Sequence, residues 1–211
     1  QAAWVKTFYR QEVQRHISPI ILSSDEVDLG KQLEDNATYL MVEMTGSGKP
    51  EYAIVQVSTD ALSRFIELPV HLNKSKKRGR FRRQIILLDD IIVHCLTDLF
   101  AGFFDFCEVQ AFSLKLTRDA EYNISDTLDQ SLIDKMSKGI KQRLKSEPVR
   151  MVYDSHMPEH MLKMLKKLLG YSSYDSLIPG GKYRNFKDFI GFPNIGHPSL
   201  EFPPMPVLKS P

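Results

Sequence analysis

Thr38–Met44 reads TYLMVEM and Glu51–Ser58 reads EYAIVQVS, with TGSGKP at Thr45–Pro50 between them. Both flanking runs are rich in β-branched and aromatic residues, and the connection is turn chemistry, so the stretch predicts an antiparallel hairpin. Val109–Thr117 (VQAFSLKLT) predicts the cleanest further strand. Its Phe112, Leu114 and Leu116 alternate with Ser113, Lys115 and Thr117, giving one buried and one wet face. Shorter extended pieces are expected at Ile20–Leu22, Arg64–Leu68, Gln84–Leu88, Val149–Tyr153 and Ser176–Pro179.

Helical periodicity appears between these strands. Ala2–Ile17 reads as an amphipathic helix with Trp4, Phe8 and Val13 near one face and Tyr9 and Ile17 as further candidates for it, ended by Ser18-Pro19. Asp28–Leu33 predicts a turn or two. Asp89 or Asp90 suits the N-cap of a helix reaching Phe100, which Gly102 ends. Leu128–Leu144 carries a long apolar stripe. Pro158 opens a helix that Gly170 closes, and Tyr183–Ile190 is a last short one. Mixed elements around an antiparallel hairpin predict one α+β domain, with a mostly antiparallel sheet and helices packed mainly on one face.

The chain's 211 residues suffice for one core and are few for two. No apolar run is long enough to span a membrane, and the N-terminus shows neither a secretion signal nor an initiator Met. Both ends read as cut from something longer. Cys95 and Cys107 form no metal or disulfide pattern, which points to a reducing, cytoplasmic setting. The net charge is +2, yet His71–Arg83 (HLNKSKKRGRFRR) alone carries seven cations and no acid, so the rest of the chain is at −5. Attraction for a polyanion is therefore concentrated in Lys74, Lys76, Lys77, Arg78, Arg80, Arg82 and Arg83. Only Phe81 interrupts them, so stacking of nucleic-acid bases is poorly supported.

Other constellations reduce to structural readings. Gly46-Ser-Gly-Lys49 is not a phosphate loop, since Glu43 stands where the first glycine belongs, Pro50 follows the lysine, and the segment joins two strands. The six histidines read as packed or solvated. His156 and His160 are four apart, but Pro158 lies between them and there is no third metal ligand at helical spacing. No catalytic or metal-binding residue is predicted. Asp119 and Glu121 after Arg118 read as a turn that fixes a strand end. Pro179-Gly-Gly-Lys-Tyr-Arg184 is a second candidate for anion contact, because Gly180 and Gly181 can turn backbone N–H groups toward an anion beside Lys182 and Arg184. Paired glycines also predict one positive φ angle, and the short helix after them predicts buried Phe186 and Phe189.

Several segments together resemble the polyphosphate kinase family, in its middle or head domain. They are Phe8–Ile20 (FYRQEVQRHISPI), Tyr39–Glu43 (YLMVE), Arg64–Pro69 (RFIELP), Ile86–Asp90 (ILLDD), Phe100–Phe106 (FAGFFDF), Thr117–Tyr122 (TRDAEY), Lys141–Tyr153 (KQRLKSEPVRMVY), Met157-Pro158 and Tyr174–Asn194 (YDSLIPGGKYRNFKDFIGFPN). The resemblance implies a parent enzyme that moves the terminal phosphate of ATP reversibly onto polyphosphate, through a phosphohistidine and with magnesium. It also implies that the catalytic histidines belong to domains outside this sequence, so that this piece is inactive and binds neither ATP nor magnesium specifically. The implied partners are the parent's other domains, a second copy of the parent and polyphosphate. The implied role is structural, in dimerisation and in shaping the active-site tunnel. The implied location is the cytoplasm or, through the parent, a membrane surface, with no transmembrane segment. In this reading residues 1–18 lead in from a preceding domain, 19–193 form the head domain, and 194–211 are a Pro-rich linker toward the catalytic domains. The alternative is a free-standing polyanion-binding module that uses residues 71–83.

Overall fold

The hairpin is the centre of a six-stranded sheet. In this computed structural model, residues 1–22, 29–35, 37–69, 83–118, 148–171, 176–182, 186–194, 202, 203 and 205 are described. The sheet strands are β1 (Ile20–Ile21), β2 (Thr38–Thr45), β3 (Glu51–Val57), β6 (Glu108–Arg118), β7 (Pro148–Asp154) and β8 (Ser176–Gly180). They lie in the order β1-β3-β2-β6-β7-β8. All neighbours are antiparallel except β7 and β8, which run parallel. A parallel return needs a crossover, which α5 (Glu159–Leu168) provides. β4 (Phe65–Glu67) and β5 (Ile85–Leu87) form a separate antiparallel pair, and the basic segment connects them.

β2 lies between two strands, so both of its edges are paired, while helices cover both faces, and its side chains divide between them by parity. Leu40, Val42 and Met44 join Ala53, Val55 and Val57 in one core. Tyr39 and Met41 join Ile54, Leu114, Leu116 and Met151 in the other. The first core is roofed by most of the described helical residues, in α1 (Ala2–Phe8), α3 (Leu88–His94) and α4 (Leu96–Phe100). The second is covered by α5, through Met161 and Leu165, and by α2 (Leu29–Gln32), through Leu29.

The first helix departs from regular form. α1 passes into a π turn at Tyr9–Val13 and a 3₁₀ turn at Gln14–His16 before Ile17 becomes extended. Its buried stripe is Val5, Tyr9 and Val13, while Trp4 and Phe8 stack on each other at the margin of the core. Of the expected face, Val13 and Tyr9 are buried, Trp4, Phe8 and Ile17 are only partly so, and Val5 joins the stripe in their place. The widened turn keeps Tyr9 and Val13 on the core side. Burial pushes the Tyr9 phenol far up and the Cys95 thiol to about 11, with the Asp98 carboxylate adding to both. The Arg10 guanidinium, 2.8 Å away, holds the Asp98 carboxyl below its usual range.

Gly102 and Gly170 close their helices with φ of +86° and +67°, as their placement after apolar stripes predicts. Gly46 has a different reason. A side chain there would bring its Cβ to 2.8 Å from the Asp105 carbonyl, so the hairpin turn lies directly against the backbone before β6. The long helix expected over 128–144 and the turn at Asp119 and Glu121 lie outside the described residues.

Candidate functional site

On the face that carries Leu40, register places Thr38 opposite Lys115, and Lys115 opposite Val152. These three form a row across β2, β6 and β7. The wet face expected of β6 is only half buried here, with Ser113, Lys115 and Thr117 on it. Gly181 and Lys182 follow β8 and fold back over this row, where the Ser113 hydroxyl donates to the Lys182 carbonyl at 3.3 Å. Arg64, just before β4, closes the remaining side. Together they enclose a half-open cavity of about 60 Å³, lined by Thr38, Arg64, Ser113, Lys115, Val152 and Lys182 among others.

Two carboxylates in the first turn of α3 hold two of these cations. Asp89 accepts from the Arg64 guanidinium at 2.6 Å, with the side chains only 2% and 4% exposed. Asp90 accepts from Lys182 Nζ at 2.7 Å, in a pair that solvent reaches. The helix-capping role expected of these aspartates is not what the structure shows. Leu87 is the N-cap, and no side chain caps the helix. Their charge still sits where a helix N-terminus favours it, but their oxygens reach across to cations. Asp89 Oδ1 remains buried without a hydrogen-bond partner.

A second polar cluster lies on the opposite face. Glu43 is 5% exposed, and the sheet register places Tyr52 on one side of it and Gln110 on the other. The Tyr52 hydroxyl donates to Oε1 at 3.0 Å and the Gln110 amide donates to Oε2 at 2.8 Å. From α5, His160 Nε2 lies 2.6 Å from Oε1, with its side chain 54% exposed. Burial and the Glu43 carboxylate push the Tyr52 phenol to about 12. His156 likewise has a carboxylate partner, Asp154, at 3.0 Å. These pairings were invisible in the sequence. Residues 43 and 160 are 117 positions apart, and only the crossover through α5 brings them together.

The predicted anion segments fare differently. Arg83, at the end of the basic run, turns back onto the chain, pairing with Glu67 at 2.9 Å and donating to the Asn194 carbonyl at 2.6 Å. Lys74, Lys76, Lys77, Arg78, Arg80, Arg82 and Arg184 lie outside the described residues. Gly181 and Lys182 line the cavity. Gly180 is the buried end of β8, paired beside Asp154. Neither glycine has a positive φ, contrary to expectation: Gly180 is held in the β8 ladder, and the turn that follows at Lys182 is made without a left-handed glycine. Phe189 is 40% exposed and Phe192 44%, each packing edge-on against Phe65 at about 5 Å, so the burial expected for Phe189 is only partial. The side chain of Phe186 lies outside the description.

Arg64, Lys115, Thr38 and Ser113 were not predicted as site residues. The alternation in β6 pointed to the side on which Lys115 stands. Nothing in the sequence placed Arg64 beside it. Among the described residues no cluster of His, Cys, Asp and Glu could hold a metal ion, and no helix is long and apolar enough to cross a membrane.

Comparison with known proteins agrees with this architecture. The family profile described as "Polyphosphate kinase middle domain" matches residues 1–192. The chain is 44% identical over 209 residues to polyphosphate kinase of Vibrio parahaemolyticus and 42% identical over 209 residues to that of Escherichia coli K12. Each alignment covers 99% of this chain and 29% of the relative, so the chain spans less than a third of the curated proteins it matches. The crystal structure of polyphosphate kinase from Porphyromonas gingivalis superposes with a TM-score of 0.69 at 26% identity, over 98% of this chain and 27% of that one. The profile, the relatives and the superposed fold agree: this chain belongs to the polyphosphate kinase family and corresponds to its middle domain.

Proposed function

We propose that this chain serves as the non-catalytic middle domain of an enzyme that transfers the terminal phosphate of ATP to polyphosphate. The observation that carries the reading is the match of residues 1–192 to the family's middle domain, within relatives more than three times as long. The phosphohistidine chemistry and the handling of ATP and magnesium fall to the rest of the parent polypeptide. The domain's part is structural. Its sheet, covered on both faces, is a rigid frame for one wall of the active-site tunnel and for contact with a second copy in a dimer. The Pro-rich stretch 194–211 is the linker toward the catalytic domains.

Incubation of the 211-residue chain with ATP, magnesium and a polyphosphate primer is expected to yield no new polymer, while the full-length parent makes it. Synthesis by the fragment above a mock preparation would overturn the non-catalytic reading. Failure of the parent to make polymer would overturn the assignment of the activity.

A further inference from the structure

The cavity on the Leu40 face brings three cationic residues together. Its lining includes Arg64, Lys115 and Lys182 and, among the described residues, no carboxylate. Asp89 and Asp90 stand behind two of these cations, not in the cavity. The arrangement is graded. Arg64 is fully buried and held rigid by Asp89, Lys115 is half-buried on the strand, and Lys182 is 37% exposed. A guanidinium fixed in this way is prepared to meet an oxyanion, since little side-chain freedom remains to be lost. Thr38 and Ser113 form the strand floor, where the Ser113 hydroxyl donates to the Lys182 carbonyl and ties the segment after β8 to β6.

Size limits the ligand. A water-sized centre takes roughly 10–15 Å³, so about 60 Å³ accommodates roughly four to six such centres. One tetrahedral oxyanion is within that range. A nucleotide needs a pocket several times larger. Attraction in a half-buried site also exceeds that on an open surface, because the effective dielectric is lower.

We propose that the cavity formed by Arg64, Lys115, Lys182, Thr38 and Ser113 is a subsite for a single phosphate group of a condensed phosphate chain. The choice of condensed phosphate over other oxyanions rests on the proposed function. The choice of a tetrahedral oxyanion rests on the cavity alone. Lys182 is held by Asp90 in a solvent-reached pair, which an entering phosphate can replace at small cost. The site lies on the opposite face from the Glu43 cluster and does not involve the basic run at 74–83.

The test is titration of the 211-residue chain at low salt with tripolyphosphate, orthophosphate and sulfate, followed by calorimetry. Tripolyphosphate is expected to bind at least about tenfold more tightly than orthophosphate, since its greater charge adds attraction to the three lining cations. Lys115→Gln and Lys182→Gln are each expected to weaken it about tenfold. Gly181→Asp is a gentler probe. A Cβ there meets nothing within 4 Å and the backbone is not left-handed, so the fold tolerates the change while a carboxylate enters the lining. It is expected to abolish binding. A variant with Lys74, Lys76, Lys77, Arg78, Arg80 and Arg82 all changed to Gln should keep the tripolyphosphate preference. As a second readout, tripolyphosphate should slow acetylation of Lys115 and Lys182 relative to Lys163, which lies on α5. Undiminished binding in Lys115→Gln/Gly181→Asp, or unchanged acetylation, would overturn the proposal. Equal affinity for all three anions would overturn the assignment to condensed phosphate. None of these outcomes depends on whether the parent makes polymer, so the two readings fail separately.

Discussion

Two buried carboxylates, Glu43 on strand β2 and Asp89 on helix α3 over the opposite face of the sheet, are treated differently. Glu43 is central on its face, and both oxygens are satisfied by neighbours that the register supplies, with His160 added from α5. Asp89 has one oxygen on Arg64 and the other buried without a partner. A carboxylate saturated by its own scaffold ties strands and a helix together and has nothing left for a ligand. A carboxylate spent on orienting one cation beside a cavity is a support for that cation. The difference separates a polar cluster closed on itself from one whose cations stand beside an open cavity.

The largest expected effect tests the Asp89 side. Asp89→Ala leaves Arg64 buried without its counter-ion, and breaking such a pair costs roughly 3–5 kcal/mol. Chemical denaturation should show a loss of that size with an unchanged m-value. A loss under about 1 kcal/mol, comparable to an exposed pair, would mean that Arg64 relaxes into solvent and that the cavity is not rigid. Glu43→Gln is a smaller perturbation, because shape is kept and only charge-assisted hydrogen bonds weaken. It is expected to cost roughly 2 kcal/mol and to leave anion binding unchanged. Lost anion binding in that variant would break the division of labour between the faces.

The smallest effect is a pH dependence at the alkaline end. Tyr52 is pushed to about 12 and Cys95 to about 11, so the folded state holds both protons more firmly than the unfolded chain does. Their contribution is fully present below the ordinary values of 10.0 and 9.0, and it is lost as pH rises through the folded ones. The melting temperature should be level from neutral pH to about 9 and then decline. In Tyr52→Phe the decline above pH 10 should be shallower. An identical decline in the variant would place the titration elsewhere and detach Tyr52 from Glu43.

Strand and helix positions were largely legible because they depend on short-range patterns. TYLMVEM and EYAIVQVS carry their own turn, the alternation in β6 names its two faces, and Gly102 and Gly170 mark their helix ends. Arg64 and Lys115 were illegible as a pair because their meeting depends on β6 lying beside β2 and on the chain after β8 folding back. Asp89 and Asp90 misled for a related reason. At a helix start a carboxylate can cap or can reach outward, and only the presence of a distant cation decides between them.

The sequence by itself determined the α+β class, the central hairpin and, through segments spread along nearly the whole chain, the family. Those properties follow from local periodicity, turn chemistry and motif order, all carried by residues close together in the chain. Tertiary structure alone decided that Glu43 would be saturated by Tyr52, Gln110 and His160, and that Arg64, Lys115 and Lys182 would line one cavity. Burial and charge interact through space, and over tens of residues the path of the chain determines which groups come within reach.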